Sequence, residues 1–189
     1  METSERTVTL LTEALFFDTD CISAFLWINN QSLLAQLYPG RIVIPSAVYE
    51  ELSNPGIRHL KDRVDSMIAD KSARVEDIQM NTEEYNIYRK LTKNPDPGHM
   101  IIGKGEAAAI ALAKERNGIL ASNNLRDVTA YVSEFGLVHV TTGAILQEAF
   151  EKDLITEDEG NKLWQNMLQK RRRLGFQTFS DYLKNNYSK

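Results

Sequence analysis

Short apolar runs recur along this chain at Ala14-Leu15-Phe16-Phe17, Ile42-Val43-Ile44, Ile119-Leu120-Ala121 and Gly136-Leu137-Val138-His139-Val140, with helix-length stretches between them. Runs of this length, rich in β-branched and aromatic residues and bounded by turn residues, read as short buried strands. Strands joined by helical crossovers pair in parallel and in a right-handed sense. The alternation therefore predicts an α/β fold with a mainly parallel central sheet of four or five strands flanked by helices. Ala73-Arg74-Val75 is the candidate for the additional strand.

The intervening stretches carry their own start and stop signals. Ile22, Phe25, Leu26, Leu33, Leu34 and Leu37 are spaced as a helix over residues 19–37, which stops at Tyr38-Pro39-Gly40. Ser46 is expected to cap a helix containing Val48, Tyr49 and Leu52 that ends before Asn54-Pro55-Gly56. Residues 57–93 read as mainly helical, and Asn94 to Gly98 as a loop. Glu106 to Lys114, with its five alanines, has very high helix propensity and closes at Asn117-Gly118. A further helix begins near Leu125. Residues 146–189 are helical and charged with no linker before them. The expectation is one domain over 1–189, with its core at about 14–145 and a C-terminal helical extension.

Composition narrows the functions. The 189 residues suffice for one domain with a real core, and 42% of them are hydrophobic. No stretch stays apolar for the roughly 20 residues of a membrane helix. The N-terminus, Met1 to Phe17, lacks the basic-then-apolar order of a signal peptide. A single cysteine, Cys21, rules out an internal disulfide framework and a Cys-rich zinc site, and it fits the reducing cytoplasm, the expected location. His59, His99 and His139 show no ligand-like spacing. Net charge is −4, which argues against a protein that only coats nucleic acid, because phosphate neutralisation dominates such binding. It leaves room for a nuclease, whose carboxylates hold divalent cations.

Carboxylates sit where a parallel sheet places its ligands, beyond the carboxyl ends of the strands. Asp18 ends the first apolar run, and Glu51 lies on the helix after the second. Glu106 opens the helix leading into Ile119-Leu120-Ala121, and Asp127 lies in the first turn after that run. Converged, they would offer hard oxygen ligands without a countering cluster of Lys or Arg, the kind of site Mg²⁺ selects. Glu106 and Asp127 also have a plain reading as acids complementing a helix dipole. Glu51, beside Glu50, equally suits a solvated face. Asp18 differs, since a carboxylate directly after an apolar strand costs stability if it is buried unpaired.

The order of these blocks carries a resemblance. Phe17-Asp18-Thr19-Asp20 resembles the Asp-Thr-Asn/Ser opening of PIN domains, and Pro45-Ser46-Ala47-Val48-Tyr49-Glu50-Glu51-Leu52 is similar to their Pro-x-x-Val-x-x-Glu-Leu helix. Gly105-Glu106-Ala107-Ala108-Ala109-Ile110-Ala111-Leu112-Ala113 resembles their Gly-Glu-x-x-Ala-Ile-x-Leu-Ala block, the most specific of the set. Ser122-Asn123-Asn124-Leu125-Arg126-Asp127 is similar to their Thr-x-Asp/Asn-x-x-Asp/Glu turn. All four blocks stand in family order between residue 14 and about 150. The resemblance implies a three-layer PIN-like fold and a ribonuclease dependent on Mg²⁺ or Mn²⁺, with one or two ions. Asp18, Glu106 and Asp127 would ligate metal, and Glu51 would be a second-metal ligand or water orienter. Thr19, Ser122 and Asn124 would support them, and Lys104 is a candidate phosphate contact. Hydrolysis would use a metal-activated water in line with the leaving 3′ oxygen. Asn124 stands where many members carry Asp, which removes one negative charge; Vap-type toxins share that Asn and supply a carboxylate three residues on, matching Asp127.

Resemblance to Vap-type toxins implies an RNA substrate and an inhibiting antitoxin. Leu163, Trp164, Met167, Leu168 and Leu174 repeat at near-helical spacing beside the basic run Lys170-Arg171-Arg172-Arg173. That stripe suits docking of an acidic, amphipathic antitoxin segment; it equally suits packing on the protein's own sheet or across a homodimer. Two rivals stand beside the nuclease. A degenerate PIN fold would serve as an interaction module, with Asn124 as its support. A haloacid-dehalogenase-like phosphatase would use Asp18-Thr19-Asp20 as its Asp-x-Asp motif and Ser122 as its second element, but the acidic pair expected after a further strand is missing.

Overall fold

Successive side chains on a strand point to opposite faces, and here both faces are apolar. The computed structural model describes residues 13–97 and 99–188, apart from the side chain of Asp127. Its strands are β1 (Leu15–Phe17), β2 (Ile42–Pro45), β3 (Ala73–Glu76), β4 (Ile119–Ala121) and β5 (Val138–Val140). They form one sheet in the order β3-β2-β1-β4-β5, every pair parallel. Leu15, Phe17, Ile42, Ile44, Ile119 and Ala121 enter one core, while Phe16, Val43 and Leu120 enter the other.

Helices cover both faces. In chain order they are α1 (Thr19–Trp27), α2 (Gln31–Leu37), α3 (Ser46–Glu51), α4 (Arg58–Ala69), α5 (Glu83–Lys93), α6 (Lys104–Glu115), α7 (Leu125–Phe135), α8 (Thr142–Glu151), α9 (Glu157–Gln169) and α10 (Phe179–Tyr187). Cys21, Phe25, Leu34, Leu60, Ile145, Trp164 and Phe179 bring α1, α2, α4 and the helices α8 to α10 to the first core. Leu91, Ile110 and Val128 bring α5, α6 and α7 to the second. The result is a three-layer α/β fold whose C-terminal helices thicken one face. Among the described residues no helix is long and apolar enough to cross a membrane. Residues 1–12, part of the N-terminus expected to lack a signal peptide, lie outside the description.

Several local expectations need correction. The single helix over residues 19–37 is two, because Asn29 turns left-handed at φ 55° and starts a bend before α2; asparagine tolerates that conformation better than most residues. Ser46 does not cap α3. Pro45 holds the cap position, and the Ser46 hydroxyl donates to the Glu76 carbonyl at 3.2 Å, tying α3 to the end of β3. Gly136 is not in a strand but closes α7 with φ 62°.

The apolar stripe of residues 163–174 also needs correction as a peptide-docking groove. Trp164 and Met167 are fully buried within the chain, and Leu168 packs half-buried against the same core. The indole Nε1 of Trp164 donates to the Phe176 carbonyl at 3.0 Å, and its ring packs against Phe179 and Tyr182. A helical stripe has the same period whether its face meets its own sheet or a partner, so spacing alone did not decide. Trp164→Ala should destabilise the protein by about 3–5 kcal/mol in denaturant unfolding. A loss below about 1 kcal/mol would mean that the extension contributes little to the first core.

Candidate active site

Strand order reverses at β1, whose neighbours β2 and β4 leave in opposite directions along the sheet. Ligands of open α/β sheets bind at such a reversal, beyond the carboxyl ends of the strands. Asp18 and Ser122 follow β1 and β4 directly there. The Asp18 amide donates to the Ala121 carbonyl at 2.9 Å, so sheet pairing fixes its backbone. The Asp18 side chain then caps α1, its Oδ1 accepting from the Cys21 amide at 2.7 Å. Its Oδ2 is buried without a hydrogen-bond partner. Burial pushes the Asp18 carboxyl from its usual 3.8 up to about 7; the Ser122 hydroxyl and Cys21 amide draw it back, and the charges of Asp20 and Glu106 push it further up.

Across from Asp18, helix α6 begins with amide groups that have no partner inside the helix. Glu51, at the end of α3, supplies one: its Oε1 accepts from the Gly105 amide at 2.9 Å. Its Oε2 accepts from the Thr19 hydroxyl. Glu106 supplies another, accepting from the Gly103 amide at 3.2 Å. The other oxygen of Glu106 accepts from Asn124 Nδ2 at 2.6 Å. Gly105 has no room for a side chain, since a Cβ would lie 2.6 Å from Thr19 Oγ1 and 3.0 Å from Glu51 Oε2. Supporting contacts hold the β4 exit. Asn123 exchanges hydrogen bonds of 2.8 Å with the Thr142 hydroxyl and amide, and the Ser122 hydroxyl accepts from the Asn124 amide at 3.2 Å. His139 Nε2 donates to the Ser122 carbonyl at 2.9 Å, and burial holds its pKa below the usual value.

Of these groups, Thr19, Glu51, Gly103, Gly105 and Glu106 line a cleft of about 240 Å³ together with Asp20, Ser23 and Arg172. Glu51 and Glu106 therefore share one cleft, with the buried Asp18 directly before Thr19. Asp127 lies in the first turn of α7, and its side chain is outside the description. Lys104 opens α6 but is exposed and is not among the lining residues. Sequence reasoning gave Asp20 a role only in the phosphatase reading, gave Ser23 none, and left Arg172 within a basic run. Nothing in the spacing says that Arg172 returns to helix α1.

A family model described as a PIN domain matches residues 14–187. The chain belongs to the PIN-domain family. A solved structure of VapBC2 from Rickettsia felis bound to a DNA fragment from their promoter is also similar. Its TM-score is 0.46 and its identity 18%, over 68% of this chain and 98% of that one. No curated protein gives a significant match. PIN membership ends the haloacid-dehalogenase reading.

The orphaned Asp18 Oδ2 tests whether this PIN domain suits a cation. A buried acceptor without a donor is costly, and a hard divalent ion would satisfy it beside the oxygens of Glu106. The residues fit. A second grouping, Asp96, His99 and Glu134, has ligand atoms within 4.8 Å of one another. It is separate from the cleft, and Lys90 already pairs with Asp96 and lies 3.8 Å from Glu134. That grouping is an ion-pair network, unsignalled by sequence because Glu134 is far along the chain from His99.

Asp18 sets a pH dependence for the metal-free protein. Its folded pKa of about 7 lies above the usual 3.8, so the folded chain holds a proton that the unfolded chain releases between those values. Stability is fully present below pH ~4, falls as pH rises toward ~7, and loses on the order of 4 kcal/mol across that window. Asp18→Asn keeps the cap and removes the ionisation, so it should raise the metal-free melting temperature at pH 8 and flatten this dependence. Melting curves in EDTA from pH 4 to 8 check it; equal slopes in both proteins would refute the assignment.

Proposed function

We propose that this PIN domain is a Mg²⁺- or Mn²⁺-dependent endoribonuclease of the cytoplasm and the toxin of a toxin–antitoxin pair. The observation that carries the reading is the buried Asp18 carboxylate, with one oxygen unpartnered, beside Glu106 at the sheet's reversal point. Asp18 and Glu106 would hold the ion or ions, with Asp127 as the further ligand. A bound divalent ion lowers the pKa of water and neutralises charge on a scissile phosphate and its leaving oxygen.

The chain's own residues keep the acceptors in place. Asn124 fixes one oxygen of Glu106 and leaves the group's charge intact. Thr19 and Gly105 hold Glu51, whose remaining lone pairs can orient an attacking water. RNA as substrate and an antitoxin as partner rest on the resemblance to Vap-type toxins. A homodimer stays an expectation.

The reading is tested by metal-dependent cleavage of structured and unstructured RNA. Asp18→Asn and Glu106→Gln should each lower turnover by at least about 100-fold, the upper end of losses for residues that only support a metal ligand. Both should keep the fold by circular dichroism. Unchanged turnover in either variant at saturating Mg²⁺ removes that residue from the site. Toxicity on expression without a partner, relieved by Asp18→Asn, tests the toxin role. A catalytically weak interaction module is favoured by one observation: Asn124 contributes an amide where many members carry Asp. Asn124→Asp should then tighten Mn²⁺ binding, read as a larger melting shift per added Mn²⁺. No shift with Mn²⁺ in either protein would favour the module.

A further inference from the structure

We propose that Arg172, delivered by the C-terminal extension, is the side chain that contacts a substrate phosphate in this cleft. The proposal rests on the nuclease reading and names a subsite within it. Arg172 is the only cation among the described residues that line the cleft. Its place is built by the turn that ends α9. Arg171 is left-handed at φ 60°, and its amide donates to the Leu168 carbonyl at 2.8 Å. The Arg172 amide donates to the carbonyl of the fully buried Met167 at 3.0 Å. The backbone that aims the side chain is thus anchored on the first core.

The guanidinium is oriented as well. Its Nη1 donates to Asp20 Oδ1 and to the Ser23 hydroxyl, each at 3.2 Å, and its Nε donates to the Lys170 carbonyl at 3.1 Å. Nη2 has no hydrogen-bond partner among the described residues. Its neighbours Lys170, Arg171 and Arg173 are exposed, whereas the Arg172 side chain is only 22% exposed.

Charge gives that orientation a purpose. Asp20, Glu51 and Glu106 line the cleft and Asp18 lies buried beside it, so an approaching phosphodiester meets negative charge from several sides. A guanidinium presents a planar fork of donors that matches phosphate oxygens. Asp20 is more than a third exposed, so its pairing with Arg172 is a weak tether in water and does not by itself account for a placed arginine.

The test uses the full chain and a fluorescein-labelled single-stranded RNA decamer, with Ca²⁺ in place of Mg²⁺, across a potassium chloride series. Arg172→Gln should weaken binding about tenfold. It should also reduce the magnitude of the slope of log affinity against log salt by about 0.7, one phosphate contact on a single strand. Arg172→Lys should restore the slope but only part of the affinity, because a point charge replaces the fork. Arg173→Gln should match wild type. The melting shift caused by Mn²⁺ should be the same in Arg172→Gln as in wild type, separating this role from metal binding. The proposal is overturned if Arg172→Gln matches Arg173→Gln in affinity and slope and differs only in melting temperature, the signature of a tether. It is also overturned if wild type fails to bind the RNA. If wild type binds but cleaves with neither Mg²⁺ nor Mn²⁺, while the loss stays confined to Arg172 variants, the phosphate contact stands and the nuclease reading falls.

Discussion

Parallel pairing of β1 with β4 runs one residue past the strands, because the Asp18 amide still donates to the Ala121 carbonyl. That bond carries a carboxylate into the sheet's own register and leaves it fully buried. The remainder of the site is arranged around this position. Helix α1 starts there because Asp18 caps it, and the cleft residues Thr19, Asp20 and Ser23 follow on that helix's first turns. A carboxylate raised to about 7 is a destabilising element in the metal-free fold, and the two apolar cores on either side of the sheet outweigh it. Stability and site chemistry thus oppose each other at one atom, Oδ2, as is common where a fold holds an acceptor ready for a ligand.

The opening turn of α6 shows the converse, where one interaction serves both ends. Helices need acceptors for their first amides, and here those acceptors are Glu51 from α3 and Glu106 from the turn itself. The helix dipole favours negative charge at this end, which offsets the mutual repulsion of carboxylates in a small cleft. Gly105 is the contact that makes this geometry close, since any side chain there would strike Thr19 and Glu51. The Gly-Glu pair that opens α6 thus has a steric reason for its first member and an electrostatic one for its second.

The parts legible in the sequence are those whose signal is local. Consecutive apolar residues at Leu15–Phe17, Ile42–Ile44 and Ile119–Ala121 read as buried strands, and both sides of each are indeed packed. Asp18 and Glu106 could be singled out because a strand exit marks the one and a first helical turn the other, whereas Glu51, the last residue of α3, stood out only through its motif context. What was not legible depends on pairs distant in the chain. Thr142 meets Asn123, Ser46 meets Glu76 rather than its own helix, and Trp164 packs inward rather than toward a partner. Asn29 breaks a helix whose apolar spacing runs straight through the break, because the side chains on either side still face the same core.

Arg172 belongs to that second class, and its position ties the extension to the cleft. Its turn hangs on Met167, one turn beyond Trp164 on α9, and both side chains are enclosed in the core that also holds Ile22 and Phe25 of α1. Loosening α9 would therefore displace the Arg172 side chain from Asp20 and Ser23 before it disturbed the β1–β4 pairing that holds Asp18. The cleft has two layers of support: the sheet and the helices on it, which place Asp18, Glu51 and Glu106, and a C-terminal helix that places Arg172, the one basic side chain among the described lining residues. A mutation in the extension far from any carboxylate would then alter the charge of the cleft while leaving Asp18 where the sheet puts it.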